Sequence, residues 1–219
     1  RVVGMSHNFE VTQSELLVDA PVIALRRDTL VMPGGGAADR EVVEHFGAVA
    51  VVALDADNRV ALVEQYRPSV RRRLRELPAG ILDFHEEDEL TAAKRELQEE
   101  AGLAASDWGV LIDVVTSPGF AEEAVRIYLA RGLNEVEKPE AEDEEADMGF
   151  SWLSLEEARA AVMRGEFLNS IAITGILAAS EVHSGRAELR DVAEPFEIRP
   201  TSMATRRVAA GILPDMKRI

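Results

Sequence analysis

Arg95-Glu96-Leu97-Gln98-Glu99-Glu100-Ala101-Gly102-Leu103 is the stretch that decides how this chain reads. It lies at the end of a helix predicted over Asp88–Ala101. Leu90, Ala93, Leu97 and Ala101 recur at helical spacing, so one face is apolar and packs on a core. Gly102 closes the helix, because glycine takes the left-handed cap conformation at little cost. Glu96, Glu99 and Glu100 fall at i, i+3 and i+4 on another face, where their carboxylates converge. Like charges this close repel one another. A lone Glu-x-x-Glu-Glu is most simply a solvated stripe; the alternative is a hard divalent cation, which takes carboxylate oxygens in this arrangement.

Outward from the helix, strands and turns alternate. Two strand-like stretches, Phe9–Val18 and Pro21–Leu30, precede a turn at Pro33-Gly34-Gly35-Gly36. A β-rich region covers Glu41–Leu54 and Arg59–Tyr66, with Asp57-Asn58 as a hairpin tip, and Leu74–Leu77 is a short strand ended by Pro78. Beyond the helix, strands are predicted at Val110–Val115, Ala124–Ala130 and Met148–Leu153, and helices at Ser154–Arg164 and Ser170–Val182. Ser154 with Glu157 makes a capping-box start. From His183 onward no period is evident and three prolines intervene, so a tail of partial order is expected. The mixture gives an α/β or α+β domain.

Composition narrows the class. With 219 residues and 47% apolar content the chain can bury a sizeable core. It has no cysteine, which excludes disulfides, thiolate metal sites and a cysteine nucleophile, and fits a reducing cytoplasm. Apolar runs such as Ala48–Leu54 are far too short to span a membrane, and Arg1–Ser6 lack the apolar stretch of a signal peptide. Met5 is a candidate start, with Arg1–Gly4 an extension before it. The net charge of −16 repels nucleic acid and anionic membranes, so neither is an expected partner. Against that field Arg67, Arg71, Arg72, Arg73 and Arg75 form a local basic patch able to meet an anionic substrate.

Gly80 and Glu87 join the helix residues in a longer pattern. Gly80, Glu87, Arg95, Glu96, Leu97, Glu99, Glu100, Gly102 and Leu103 resemble the signature of the Nudix hydrolases, with one departure: six residues separate Gly80 from Glu87 where the signature has five. The helix register is intact, so the departure reads as an insertion in Ile81–Glu86 and leaves the role of Glu87 open. The resemblance implies a Nudix-type α/β/α sandwich with a mixed sheet, carried by residues 46–183, with a small N-terminal β region over 1–45 suited to dimerisation and a C-terminal tail over 184–219. It further implies Mg²⁺, with Mn²⁺ as the alternative, bound by Glu96 and Glu100, by Glu99, and by the Ala79 carbonyl. Arg95 would orient the carboxylates.

Further residues resemble the ADP-ribose pyrophosphatase branch: Gln65-Tyr66-Arg67, Glu76-Leu77-Pro78-Ala79-Gly80, and Pro118 fifteen residues after Leu103. That resemblance implies a nucleotide-sugar substrate, ADP-ribose hydrolysed to AMP and ribose 5-phosphate by a cytoplasmic homodimer. Arg67 would bind the diphosphate, Glu76 would contact the terminal ribose or support a residue that touches substrate, and Phe120 would wall the pocket. Glu123 is a second ribose candidate, and Arg26 and Arg27 stand where related dimers reach adenosine across the interface. The acidic run Glu135–Asp147 would carry the base that activates water, Glu145 first and Glu144 second. The competing readings are another nucleoside diphosphate derivative (NADH, a dinucleoside polyphosphate, GDP-mannose) and a non-catalytic ADP-ribose sensor. The four histidines have no ligand spacing.

Overall fold

Ala48-Val49-Ala50-Val51-Val52-Ala53 contains no polar residue, as suits a strand covered on both faces. That strand (β4, Ala48–Ala53) organises the larger of two structural units. The computed structural model describes residues 7–83, 87–139 and 147–209. The larger unit is Gly47–Thr116 with Ala124–Arg199; the smaller takes in the described parts of Arg1–Phe46, Ser117–Glu123 and Pro200–Ile219.

In the larger unit β4 pairs in parallel with β9 (Ala124–Glu135) and antiparallel with β7 (Ala79–Ile81), and β9 carries β8 (Leu103–Val115) on its far side. A second, antiparallel sheet has the order β10 (Gly149–Ser154), β5 (Arg59–Arg67), β6 (Arg72–Glu76). Alternation along β4 separates two cores. Ala48, Ala50 and Val52 join helices α2 (Leu155–Met163) and α3 (Ser170–His183). Val49, Val51 and Ala53 join Ala92, Ala93 and Leu97 of helix α1 (Glu89–Ala101). Helices thus cover both sides of a mixed sheet, the α/β/α sandwich that the resemblance implied.

The helix ends follow local chemistry. Asp88 caps α1 by accepting from the Thr91 amide at 2.9 Å, Gly102 adopts φ 66° at its other end, and Ser154 caps α2 by accepting from the Glu157 amide. Strand lengths differ from the reading. The single stretch Glu41–Leu54 divides at Gly47 into β3 (Ala37–Glu44) and β4. β8 and β9 extend well past their apolar runs, because backbone pairing continues where the side chains are already polar.

The smaller unit is an antiparallel sheet ordered β1 (Val11–Asp19), β2 (Ala24–Val31), β3, with a helix α4 (Ser202–Ala209). Ala24, Phe46 and Met203 form its core. Arg207 donates to the Ala20 carbonyl at 2.6 Å, and Arg206 pairs with Glu44.

The expectation of a loosely ordered tail from His183 is corrected as far as Ala209 by these contacts and by those of Arg126; residues 210–219 lie outside the described residues. The Arg126 guanidinium, 1% exposed, donates to the carbonyls of Glu194 and Pro195 and makes a bidentate pair with Asp113; Arg190 joins the same carboxylate. Anchors of this kind are single contacts between residues far apart in sequence, so they leave no periodicity to read. Burial alone would raise the Asp113 pKa, but the hydrogen bonds from Arg126 and Arg190 outweigh it and hold the carboxyl below its ordinary value. A depressed carboxyl stabilises the fold above its unfolded pKa and ceases to do so as pH falls through the folded one. Asp113→Asn should therefore cost roughly 1.5–3 kcal/mol near neutrality. The difference should begin to shrink as pH falls below about 4 and vanish only below the folded pKa of Asp113, which urea denaturation across that range will measure.

Candidate active site

Helix α1 delivers four of its residues to one place. Glu96 is 4% and Glu100 6% exposed, so both carboxylates share the buried side of α1 with Ala92, Ala93 and Leu97. This corrects the reading of the helix, which put the glutamates on a face apart from the core; Leu90 and Ala101, half-buried, pack against that core as expected. A buried carboxylate needs compensation. Glu100 accepts the Ala79 amide at 2.8 Å, which sets its carboxylate beside the backbone of β7. Glu96 accepts from Arg95 at 2.5 Å, and Arg95 also reaches Glu99 at 3.0 Å.

Gly80 is required by this arrangement. A Cβ built on it would lie 2.0 Å from Glu96 Oε1, so the carboxylate occupies the space a side chain would fill. Glu87, whose role the insertion left open, makes two bonds of 2.9 Å to Arg95. Whatever path the inserted loop takes, it returns Glu87 to the arginine; Phe84, His85 and Glu86 lie outside the described residues. Burial would lower the Arg95 pKa, but the hydrogen bond to Glu87 and the charge of Glu96 raise it above the ordinary arginine value, so it is a permanent cation.

Among the described residues no three acidic side chains stand together clear of a cation as a ready metal cage. Glu87, Glu96 and Glu99 instead gather on Arg95. The set nevertheless fits a hard divalent cation. Three carboxylates, of Glu87, Glu96 and Glu99, face one guanidinium, Glu100 is buried beside Glu96, and Glu96, Glu99 and Glu100 offer oxygen ligands anchored on one helix.

On the second sheet of the same unit, Arg67 and Glu76 make a bidentate pair across β5 and β6, at 3.0 and 2.6 Å, with Glu76 only 2% exposed. The remaining candidates belong to the smaller unit. Arg26 is held by Asp28, Glu44 and Glu122, while Arg27 meets only Glu41, in an exposed pair. Pro118 is exposed, as is Phe120, at 60%; Glu123 stands 3.8 Å from His45. Glu144 and Glu145 lie outside the described residues.

Buried carboxylates suited to a divalent cation, on a helix of an α/β/α sandwich, define a metal-dependent hydrolase. The chain belongs to the NUDIX family: the NUDIX domain model matches residues 44–170. It is 53% identical to the ADP-ribose pyrophosphatase of Mycobacterium tuberculosis over 92% of this chain and 97% of that protein. It is 38% identical to the ADP-ribose pyrophosphatase of Bacillus subtilis, over 66% of this chain and 77% of that one. At 36% identity, over 71% of this chain and 84% of the other, it resembles the methanol dehydrogenase activator of Bacillus methanolicus. The solved structure of an ADP compounds hydrolase shares the fold, with a TM-score of 0.69 at 18% identity, covering 83% of this chain and 98% of that one.

Proposed function

We propose that this enzyme hydrolyses the diphosphate bond of ADP-ribose, giving AMP and ribose 5-phosphate, with Mg²⁺ as its metal. The observation that carries the substrate is the 53% identity, across nearly the full length of both chains, to a relative named for that activity. Glu96 and Glu100, with Glu99 and the Ala79 carbonyl, would hold the metal, which when bound neutralises diphosphate charge and lowers the pKa of water. Arg95 orients those carboxylates through its bonds to Glu96 and Glu99. Arg67 takes the diphosphate oxygens, for which a guanidinium has matching geometry, and Glu76 aligns Arg67 as well as meeting the terminal ribose. Glu145, or in its place Glu144, removes the proton from the attacking water. Pro118, Phe120, Glu123, Arg26 and Arg27 are the further candidates for substrate contact. A panel of ADP-ribose, NADH, a dinucleoside polyphosphate and GDP-mannose with Mg²⁺, products separated by chromatography, tests the reading. ADP-ribose should show the highest kcat/KM, and a better rate on another member would replace it.

The assembly proposed is a cytoplasmic homodimer. Leu16 and Val18 on β1, with Val22 and Ile23 beyond its end, are large apolar side chains exposed on a small sheet. Apolar surface of this kind marks an interface when it is contiguous. Light scattering should give twice 24.0 kDa, and a fully active monomer would refute the dimer.

A further inference from the structure

The second sheet of the larger unit carries two arginines side by side on the face that looks toward α1. Residues directly opposite in an antiparallel pair share a face. The register sets Arg67 opposite Arg72, Gln65 opposite Leu74, and Val63 opposite Glu76; on the other edge of β5, Ala61 is opposite Trp152. Alternation along β5 puts all of these on one face. Ala61 and Trp152 pack with Ala92, Ala93 and Leu97, so this is the α1 side.

The arginines of β6 differ in their company. Arg73 pairs with Asp147, and Arg75 lies 3.5 Å from Glu166. Arg72 is exposed and meets no carboxylate among the described residues. Like charges set directly opposite each other destabilise a strand pair. In a chain with 40 acidic residues against 24 basic ones, a counter-ion for Arg72 would have been easy to supply. β6 is also the edge of its sheet, and charge on an edge strand discourages edge-to-edge association. That accounts for a charge on β6 but not for a second guanidinium facing Arg67.

We propose that Arg72 is a further specificity-determining residue, which together with Arg67 takes phosphate oxygens of the substrate from the solvent side of the face. The proposal rests on the reading of this face as a diphosphate site, and it makes the substrate the counter-ion that the described residues do not supply. The test compares the parent, Arg72→Gln, Arg72→Lys and Arg186→Gln. Arg186→Gln changes net charge equally but removes a surface arginine paired with Glu181. With ADP-ribose and Mg²⁺, Arg72→Gln should raise KM about tenfold, the scale of one charge-assisted hydrogen bond, and change kcat by less than about threefold. Arg72→Lys should recover part of the loss, its KM should depend more steeply on salt, and Arg186→Gln should match the parent. Calorimetric titration with inorganic pyrophosphate and Mg²⁺ supplies a readout independent of the nucleotide hydrolysed. If the parent does not hydrolyse ADP-ribose but pyrophosphate affinity still falls in Arg72→Gln, the substrate reading fails and the role of Arg72 stands. If KM and pyrophosphate affinity are both unchanged in Arg72→Gln, or the parent does not bind pyrophosphate, the proposal is overturned. Aggregation of Arg72→Gln with unchanged KM would identify an edge guard and would overturn it equally.

Discussion

Glu96→Gln and Glu100→Gln should each lower Mg²⁺-dependent turnover by at least about 100-fold while the protein stays folded. Both side chains are buried, Glu96 paired with Arg95 and Glu100 accepting the Ala79 amide, so replacing one carboxylate by an amide weakens a buried polar contact along with removing a metal ligand. The melting temperature should accordingly fall only modestly, because the amide keeps the shape of the side chain and can still accept a hydrogen bond. Leu97→Ala reverses the pattern. Leu97 has no exposed surface and belongs to the α1 core, so its truncation should cost about 2–5 kcal/mol of stability. Gly80→Ala should reach the same loss of rate as Glu96→Gln through geometry alone, because the added methyl would displace the Glu96 carboxylate that now lies 2.0 Å from its position. Initial rates at saturating metal and substrate, with thermal melts of the same samples, separate the two kinds of damage. Near-parental rates in Glu100→Gln would remove it from the ligand set.

A loss of similar or greater size is expected from Glu145→Gln. General bases contribute on the order of 10²–10⁴-fold, and ground-state binding does not require them. Single-turnover rates should fall within that range while ADP-ribose affinity by calorimetry stays within about tenfold. Glu142→Gln, from the same acidic run, should change little. Glu144→Gln is the comparison that decides between neighbours: the larger of the two losses identifies the base. If neither substitution slows the reaction, the base lies elsewhere, and Glu99 or Glu123 becomes the residue to replace.

The helix of glutamates was legible because its determinants are local. Asp88 and Gly102 mark its ends by side-chain and backbone preferences that act within a few residues. The spacing of Gly80, Glu87, Arg95 and the three glutamates is likewise a property of one continuous segment. β4 was legible as buried because a strand with no polar residue has nowhere else to go. The β8 and β9 ends and the order of residues 184–209 were not, since pairing partners and arginine anchors such as Arg126 to Glu194 and Pro195 are chosen across the chain.

The sequence by itself determined the family and the bond to be broken, and it nominated the carboxylates proposed to hold the metal, all from residues close together along the chain. Only the tertiary structure decided that Glu96 and Glu100 lie on the buried side of their helix, that Gly80 is glycine to make room for Glu96, and that Glu87 returns to Arg95 despite the inserted residue. It alone set Arg72 opposite Arg67. The physical reason is the same in each case: helix periodicity tells which residues share a face, but what that face meets depends on strands brought to it from distant parts of the chain, and burial and charge pairing are properties of that meeting.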